Sequence, residues 1–325
     1  MTRSTRQRRL WPMVLLGALV LAGAAWAGPR VLLWAQLPCR PLDRWFGDTG
    51  CTAAIPIAKL DAGIGPSLAL LPDGDTALVV GSQHLVETWG PALVSVSLSQ
   101  GREITRRPLD IAGNAPSWFM IAAPKGDLIV ATGLDMMQRR LKLFRVADAA
   151  EIGTIPAAWW GARFSPDGRM LVTGFGDDRQ GWQIPEGKPW TGSLPWIRPV
   201  HASSQSVLTS TGDAAVLFKA GRLSVEQGGI GRELVDYSNQ PVRGFNPQTM
   251  AVSPDDTMVA MIWSDYVDQA KSQIDVRRLS DGADIGSLTI PGRVINQIAW
   301  TPDSRSIAVV RQDEDGPEID VFALP

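Results

Sequence analysis

A short motif recurs six times along the chain and limits its possible folds more than any other sequence feature. Each copy contains an apolar run, a turn of the Ser-Pro-Asp-Gly kind and a second apolar run. The turns are centred on Pro72, Pro124, Pro166, Thr211, Pro254 and Pro302. Successive turns are 52, 42, 45, 43 and 48 residues apart. The chain is therefore built from similar units that stack on one another.

The chemistry of the turn predicts strands on both sides of it. Pro presets φ, Asp bonds to its own backbone and Gly accepts a positive φ. The flanking runs, such as Leu171-Val172, lack polar alternation, which is typical of strands buried on both faces. A period of 40–50 residues is that of a four-stranded propeller blade. We predict an all-β, six-bladed β-propeller over residues 53–325, with seven blades as the alternative because residues 180–205 are irregular.

Two further strands follow the motif in most units. The third alternates apolar residues, as at Ile274 and Val276, and the fourth occupies segments such as 285–290. The connections at residues 148–155 and 281–288 match closely. The sixth unit has three strands and no fourth. We expect residues 54–60 to complete its sheet and close the ring, which removes an open edge.

These turns, strands and connections resemble the WD40-type and TolB-like propeller repeats of bacteria. The resemblance covers residues 53–325 and concerns the repeat type alone. The Trp-Asp dipeptide and Gly-His pair of WD40 repeats are absent, and the amino-terminal domain of TolB has no counterpart. The resemblance implies a propeller and transfers no functional residue.

The N-terminal segment predicts the compartment. Four arginines within residues 1–9 precede an uncharged apolar run from Leu10 to Pro29, long enough to cross a hydrocarbon core of about 30 Å. Since positive charge favours the cytoplasmic side, we expect a cytoplasmic tail at residues 1–9 and a transmembrane anchor at residues 10–34. The chain is then a single-pass protein of the bacterial inner membrane with a periplasmic propeller. The alternative is a signal peptide cleaved near Ala27, which releases the remainder into the periplasm.

Two cysteines, Cys39 and Cys51, follow the apolar run. In an oxidising compartment we expect them to form a disulfide that makes residues 35–52 a stapled neck. Free thiols are the alternative. Two cysteines alone make neither a zinc site nor a complete redox motif.

Few residues fit catalysis. His84 and His201 are the only histidines and lie in different units. No nucleophile elbow or Walker A motif occurs. The acidic stretch Asp313 to Glu318 has the composition of a Ca²⁺ loop, but a solvated hairpin turn is favoured because such loops supply more ligands. The sequence offers no catalytic, cofactor-binding or metal-binding set, and it favours a binding module over an enzyme.

Tryptophan is concentrated in the third unit, and this is the one sequence hint of a surface. The cluster comprises Trp159, Trp160, Trp182, Trp190 and Trp196. An exposed group would form an interaction surface, because Trp is enriched in interface anchors. The alternative, favoured by the usual burial of Trp, is that these side chains fill the core.

The charge of the chain and its expected location indicate which classes of partner it binds. The first 30 residues hold five arginines and no acid, and the rest of the chain carries 26 basic and 33 acidic residues, which argues against nucleic acid. We expect protein partners at the membrane or in the periplasm, with the chain as a scaffold or accessory subunit of an envelope complex. The alternatives are a Ca²⁺-dependent hydrolase of the lactonase or phosphotriesterase type, and a binder of small molecules or glycans in the central channel.

Overall fold

Every described residue lies in a strand, a turn or an irregular connection. The computed structural model describes residues 51–56, 60–61, 67–84, 89–111, 118–133, 140–157, 162–174, 179–192, 194, 205–238, 247, 249–264, 271–291, 293–313 and 316–324. Within these ranges no helix is long and apolar enough to span a bilayer. The predicted anchor at residues 10–34 lies outside them.

The described strands form six antiparallel sheets, and the first three follow one another along the chain. The first strand, β1 (Cys51–Pro56), belongs to the last sheet. Blade 1 contains β2 (Leu60–Asp61), β3 (Ser67–Leu70), β4 (Thr76–His84), β5 (Trp89–Ser97) and β6 (Arg102–Pro108). Blade 2 contains β7 (Trp118–Ala122), β8 (Leu128–Gly133), β9 (Leu141–Arg145) and β10 (Glu151–Ile155). Blade 3 contains β11 (Arg163–Phe164), β12 (Met170–Thr173), β13 (Gln180–Gln183) and β14 (Lys188–Pro189).

The remaining three sheets complete the set. Blade 4 contains β15 (Gln205–Leu208), β16 (Ala214–Lys219), β17 (Arg222–Gln227) and β18 (Ile230–Asp236). Blade 5 contains β19 (Thr249–Val252), β20 (Met258–Ser264), β21 (Lys271–Arg278) and β22 (Asp284–Pro291). Blade 6 contains β23 (Arg293–Trp300), β24 (Ser306–Asp313) and β25 (Gly316–Ala323), with β1 as its fourth strand. The six-bladed prediction is confirmed, and within the irregular region the described residues 180–192 contain β13 and β14, the two outer strands of blade 3.

The core lies between the blades, because each sheet buries both faces against its neighbours. In β4, Ala77 and Val79 pack towards blade 6, whereas Leu78 and Val80 pack towards blade 2. Among the described residues, buried clusters of this kind fill the junctions 6/1, 1/2, 2/3, 4/5 and 5/6. Burial on both faces explains the unbroken apolar runs of the sequence.

The first strands of the blades surround the ring axis. Contacts link them in the order β11, β7, β3, β23, β19 and β15. Ser67 on β3 is fully buried and joins three of these strands. Its Oγ accepts a hydrogen bond from the Met120 N–H (2.7 Å) and donates one to Gln297 Oε1 (2.8 Å). The inner ring is therefore held by directional bonds as well as by packing.

Strand β1 closes the ring by pairing antiparallel with β25, with Ile55 opposite Ile319. The prediction that a strand before the first motif closes the ring is confirmed, but the bounds of that strand differ. The strand occupies residues 51–56, whereas the prediction was 54–60, and Leu60 pairs with Gln83 in blade 1 instead. The apolar stretch can pair in several registers by composition alone, so only the partner strand fixes the alignment.

One face of the ring carries the turns between the first and second strands of all six blades, and we call it the turn face. In blades 1 to 3, the Gly of each turn approaches the Pro of the preceding blade. A Cβ added at Gly126 would lie 2.7 Å from Pro72 Cδ, and one at Gly168 would lie 3.6 Å from Pro124 Cδ. Gly126 and Gly168 have φ of 73° and 72°, a region that favours glycine.

In blades 5 and 6 the same turn position holds a side chain that bonds to the preceding blade. Asp256 (φ 58°) and Ser304 (φ 60°) replace the glycine. The Asp256 carboxylate accepts hydrogen bonds from the Ser210 N–H (2.6 Å) and hydroxyl (2.7 Å) of blade 4. Ser304 Oγ accepts one from the Asp255 N–H (3.1 Å) of blade 5. The two sets of turns thus join their blades by different interactions.

Candidate functional site

A groove of about 800 Å³ opens on the turn face between blades 4 and 5. One wall comes from the β15–β16 turn, β17 and β18, and the other comes from the β19–β20 turn, the end of β21 and the start of β22. The first strands lie at the axis and the fourth strands at the rim. The groove therefore runs radially between two sheets, and its volume falls within the range of small-molecule ligand pockets.

The inner end of the groove is acidic. The Asp213 carboxylate accepts hydrogen bonds from the hydroxyls of Thr209 (3.0 Å) and Thr211 (2.5 Å) and from the Gln227 amide (3.1 Å). The Thr211 bond, followed by that of Thr209, lowers the pKa of Asp213 below its ordinary value of 3.8. Asp256 lines the groove from the opposite wall. The Asp213 carboxylate is held by its own turn and by β17, whereas the Asp256 carboxylate is held by Ser210 of the β15–β16 turn.

The outer end is basic. Arg232 on β18 reaches across to blade 5 and donates to the Leu279 carbonyl (2.7 Å) and to the Ser280 carbonyl. Arg278, at the end of β21, pairs with Asp281 at 3.1 Å. The two blades meet closely here, since a Cβ added at Gly282 would lie 2.4 Å from the Leu234 carbonyl oxygen. The arginines are therefore held where the rim of the groove narrows.

The floor between these ends is apolar. It includes Val225, Met258, Leu279 and Ile285. Beside the groove, the β17–β18 hairpin turns through Gly228 and Gly229, both with positive φ, and presents Ile230 with 76% of its surface exposed. The arrangement offers an apolar surface with opposite charges at its two ends, which suits non-covalent binding.

The predicted tryptophan surface is placed only in part. Trp182 is corrected to the core: it is 5% exposed, packs with Leu171 and Ile184, and donates Nε1–H to Thr173 Oγ1 (3.1 Å). Trp190 is 40% exposed and lies against Gly181 and Gly192. Residues Trp159, Trp160 and Trp196 lie outside the described residues. Of the two described members only Trp190 is exposed, so the interaction surface stays a prediction for Trp190 and for the three tryptophans outside the described residues.

The remaining sequence candidates are also placed only in part. Cys39 lies outside the described residues, and of Cys51 only the backbone in β1 is described, so the disulfide stays a prediction. In the acidic stretch, the described Glu318 forms an ion pair with Arg311, which also bonds to Asp320 Oδ2 (2.8 Å). Within the described part of the chain, no three His, Cys, Asp or Glu side chains converge as a metal site.

Sequence reasoning missed the groove, although two signals pointed to it. The fourth turn reads Thr-Ser-Thr-Gly and has Ser210 where three preceding turns have Pro. The next turn has Asp256 where those turns have Gly. Each departure alone is an ordinary substitution, and only their contact across blades 4 and 5 gives them meaning.

Comparison with known proteins adds no family. No family model matches the chain, and no curated protein matches it. The chain is similar to the β-propeller domain of Cps50 (Swd1) from Myceliophteria thermophila, with 10% identity and a TM-score of 0.49, over 85% of this chain and 99% of that one. It is also similar to Kuenenia stuttgartiensis hydrazine synthase, with 15% identity and a TM-score of 0.47, over 79% of this chain and 83% of that one. At these values the assignment rests on the sheet order itself, which makes the chain a six-bladed β-propeller.

Proposed function

We propose that this protein is an exported, membrane-tethered β-propeller that acts as a protein-interaction scaffold or accessory subunit of an envelope complex. Partner proteins dock on its turn face, at the groove between blades 4 and 5. The tether is the apolar segment at residues 10–34, which leaves the propeller in the periplasm.

The groove is the observation that carries this proposal. Its walls belong to sheets whose junction is filled by buried side chains such as Phe218, Met261 and Trp263, so the binding surface is preorganised. Ile230 stands at its edge with most of its surface exposed, in the manner of an interface anchor. Rigid walls, an apolar floor and an exposed apolar residue together favour protein docking.

Site-specific photo-crosslinking in intact membranes tests the docking site. A photoreactive residue at position 230 is expected to give one discrete cross-linked product that mass spectrometry identifies as an envelope protein. The matched control is position 104, because Ile104 is also exposed (50%) but lies on the outer strand of blade 1. Recovery of only the uncross-linked chain from both positions would contradict the proposal.

The tether is tested separately. Intact mass measurement of the membrane-extracted chain is expected to show residues 1–27 retained, and a periplasm-dependent reporter fused after residue 325 is expected to be active. A mature chain beginning at Gly28 would replace the anchor by a cleaved signal peptide, while an inactive reporter would contradict export.

The hydrolase and channel-ligand alternatives stay predictions. Stoichiometric Ca²⁺ in the purified chain, measured by elemental analysis, would favour the hydrolase over the scaffold. Among the described residues no specific feature favours either alternative.

A further inference from the structure

The groove between blades 4 and 5 has a direction, because its two ends carry opposite charge. Asp213 and Asp256 belong to turns near the ring axis, whereas Arg232 lies on the outermost strand of blade 4. Arg278 lies between them and the rim, at the end of the third strand of blade 5. The charged residues that line the groove therefore change from acidic to basic along the radius of the ring.

The hydrogen bonds at each end fix these charges without neutralising them. Asp213 is bonded by two hydroxyls and an amide, and Asp256 by a hydroxyl and a backbone N–H. Arg232 donates to two carbonyls. In the described part of the chain, all hydrogen-bond partners of these three groups are uncharged. Their charges stay available to a ligand of opposite charge.

Arg278 differs, because its partner Asp281 is charged. Both side chains are about half exposed, at 48% and 52%. An exposed pair of this kind contributes little stability and is screened by salt, so a ligand carboxylate can replace Asp281 at small cost. Arg278 therefore adds to the basic end once a ligand is bound.

We propose that the groove binds an extended peptide segment of the partner with a basic residue directed to the ring axis, an apolar residue over the floor and an acidic residue directed to the rim. This inference rests on the proposed docking function and specifies the chemistry of the docked segment. Charge complementarity sets the orientation of the segment, and Met258 and Ile285 contact its central side chain.

The dimensions of the blade set the spacing of the three residues. Both carboxylates lie in turns between the first and second strands, and Arg232 lies on the fourth strand. Two to three inter-strand distances, about 9–14 Å, therefore separate the acidic and basic ends. An extended chain rises about 3.4 Å per residue and places residues i, i+2 and i+4 on one side. The segment is therefore basic-x-apolar-x-acidic, or the same order reversed if the peptide runs in the opposite direction.

Capped synthetic peptides test the pattern on the full-length chain in detergent micelles. The probe is acetyl-Gly-Lys-Ala-Leu-Ala-Glu-Gly-amide carrying a fluorophore, with binding followed by fluorescence anisotropy. Its matched controls replace Glu by Lys, Lys by Glu, or Leu by Ser. We expect each control to bind about tenfold more weakly, since each loses a complementary charge or the apolar contact. The proposal would be overturned if the probe bound no more tightly than the two control peptides whose charges have one sign, that is, the Glu-to-Lys and the Lys-to-Glu peptides.

Protein variants locate the site. Arg278→Glu is expected to weaken binding of the probe about tenfold. Binding of the control peptide in which Lys replaces Glu should be unchanged or stronger. Its control is Arg145→Glu, because Arg145 pairs with Asp148 (2.8 Å) in the matching turn of blade 2. Asp213→Asn is paired with Asp75→Asn, at the same position of the blade 1 turn. Loss of binding in the controls, or none in the groove variants, would overturn the assignment.

Failure of this inference is distinguishable from failure of the proposed function. If position 230 cross-links to an envelope protein but the peptide pattern has no effect, docking stands and the charge-directed segment is wrong. If the peptides discriminate as expected and no partner is cross-linked in membranes, the groove chemistry stands and the scaffold proposal is wrong.

Discussion

The turn face joins neighbouring blades in two ways. At the junctions 6/1, 1/2 and 2/3, a glycine with positive φ lies against a proline ring of the preceding blade. At the junctions 4/5 and 5/6, Asp256 and Ser304 adopt the same φ and hold the neighbour by hydrogen bonds. A packed junction requires glycine at this turn position, because a side chain would contact the proline. A bonded junction requires a side chain that can form the hydrogen bond. The groove lies at a bonded junction, where the fourth turn has lost its proline.

The largest expected effect comes from filling a packed junction. Gly126→Ala places a Cβ 2.7 Å from Pro72 Cδ and forces a side chain into a positive φ. We expect a loss of about 3 kcal/mol in the free energy of unfolding, about 1 from φ and the rest from overpacking. Urea denaturation of the purified chain measures it.

A matched glycine separates the two causes. Gly101 has φ 62° and no atom within 4 Å of its added Cβ, so Gly101→Ala should cost only about 1 kcal/mol. Equal losses in the two variants would mean that the proline contact adds nothing to the packed junctions.

The second prediction converts a bonded junction into a packed one. Ser210→Pro removes both donors to Asp256, so we expect a loss of about 2 kcal/mol. The double variant Ser210→Pro/Asp256→Gly recreates the pair seen at Pro72 and Gly126 and should recover most of that loss. Differential scanning fluorimetry of the single and double variants measures the coupling. A double variant less stable than Ser210→Pro alone would show that a packed Pro–Gly junction cannot replace the hydrogen-bonded junction at this place.

The third prediction concerns a feature found in turns of both the packed and the bonded junctions, a hydroxyl that bonds to the aspartate of the turn. The hydroxyls of Ser165 and Thr301 lower the pKa of Asp167 and Asp303, respectively, below 3.8. Because the folded pKa is depressed, the stabilisation is present above the unfolded pKa and is lost as the pH falls through the folded value. We expect unfolding free energy to decline below about pH 4. Carboxyl NMR titration should show Ser165→Ala raising the pKa of Asp167 and leaving Asp303 unchanged; an unmoved Asp167 contradicts the assignment.

The smallest effect is expected at the other bonded junction. Ser304→Gly removes one acceptor but relieves a positive φ of 60°, and the two terms, each about 1 kcal/mol, oppose one another. The unfolding free energy should change by less than about 0.5 kcal/mol. Ser304→Ala keeps the strain and loses the bond, so chemical denaturation should find it clearly less stable than Ser304→Gly. The reverse order would show that the positive φ at position 304 carries no strain.

Most of the fold could be predicted from the sequence, because each repeat contains its own turn residues and apolar runs. Turn residues and apolar runs predicted six sheets and a strand that joins the two ends, and each blade repeats the same local rules. The ends of that strand were less predictable. Ile55 faces Ile319 only because β25 fixes the register, and nothing within residues 54–60 records it.

The site was not predictable to the same degree, since it depends on contacts between units. Asp213, Arg232 and Asp256 come from three separate segments, and no local motif connects them. The tryptophan cluster was divided for a related reason: Trp182 is buried, as the usual burial of Trp favours, and clustering along the chain does not tell which side of a blade a ring occupies. Its neighbour Trp190, eight residues away, reaches the surface.

Closure of the ring by β1 has a consequence for biosynthesis. Residues 51–56 leave the ribosome long before their partners at 316–323, at typical elongation rates on the order of 15–50 s earlier. Throughout that interval β1 presents an unsatisfied backbone edge, and blade 6 has no completed sheet to offer. Synthesis of residues 316–323 therefore decides whether β1 pairs with its native partner or with another chain. A ribosome that stalls before residue 316 leaves β1 without that partner.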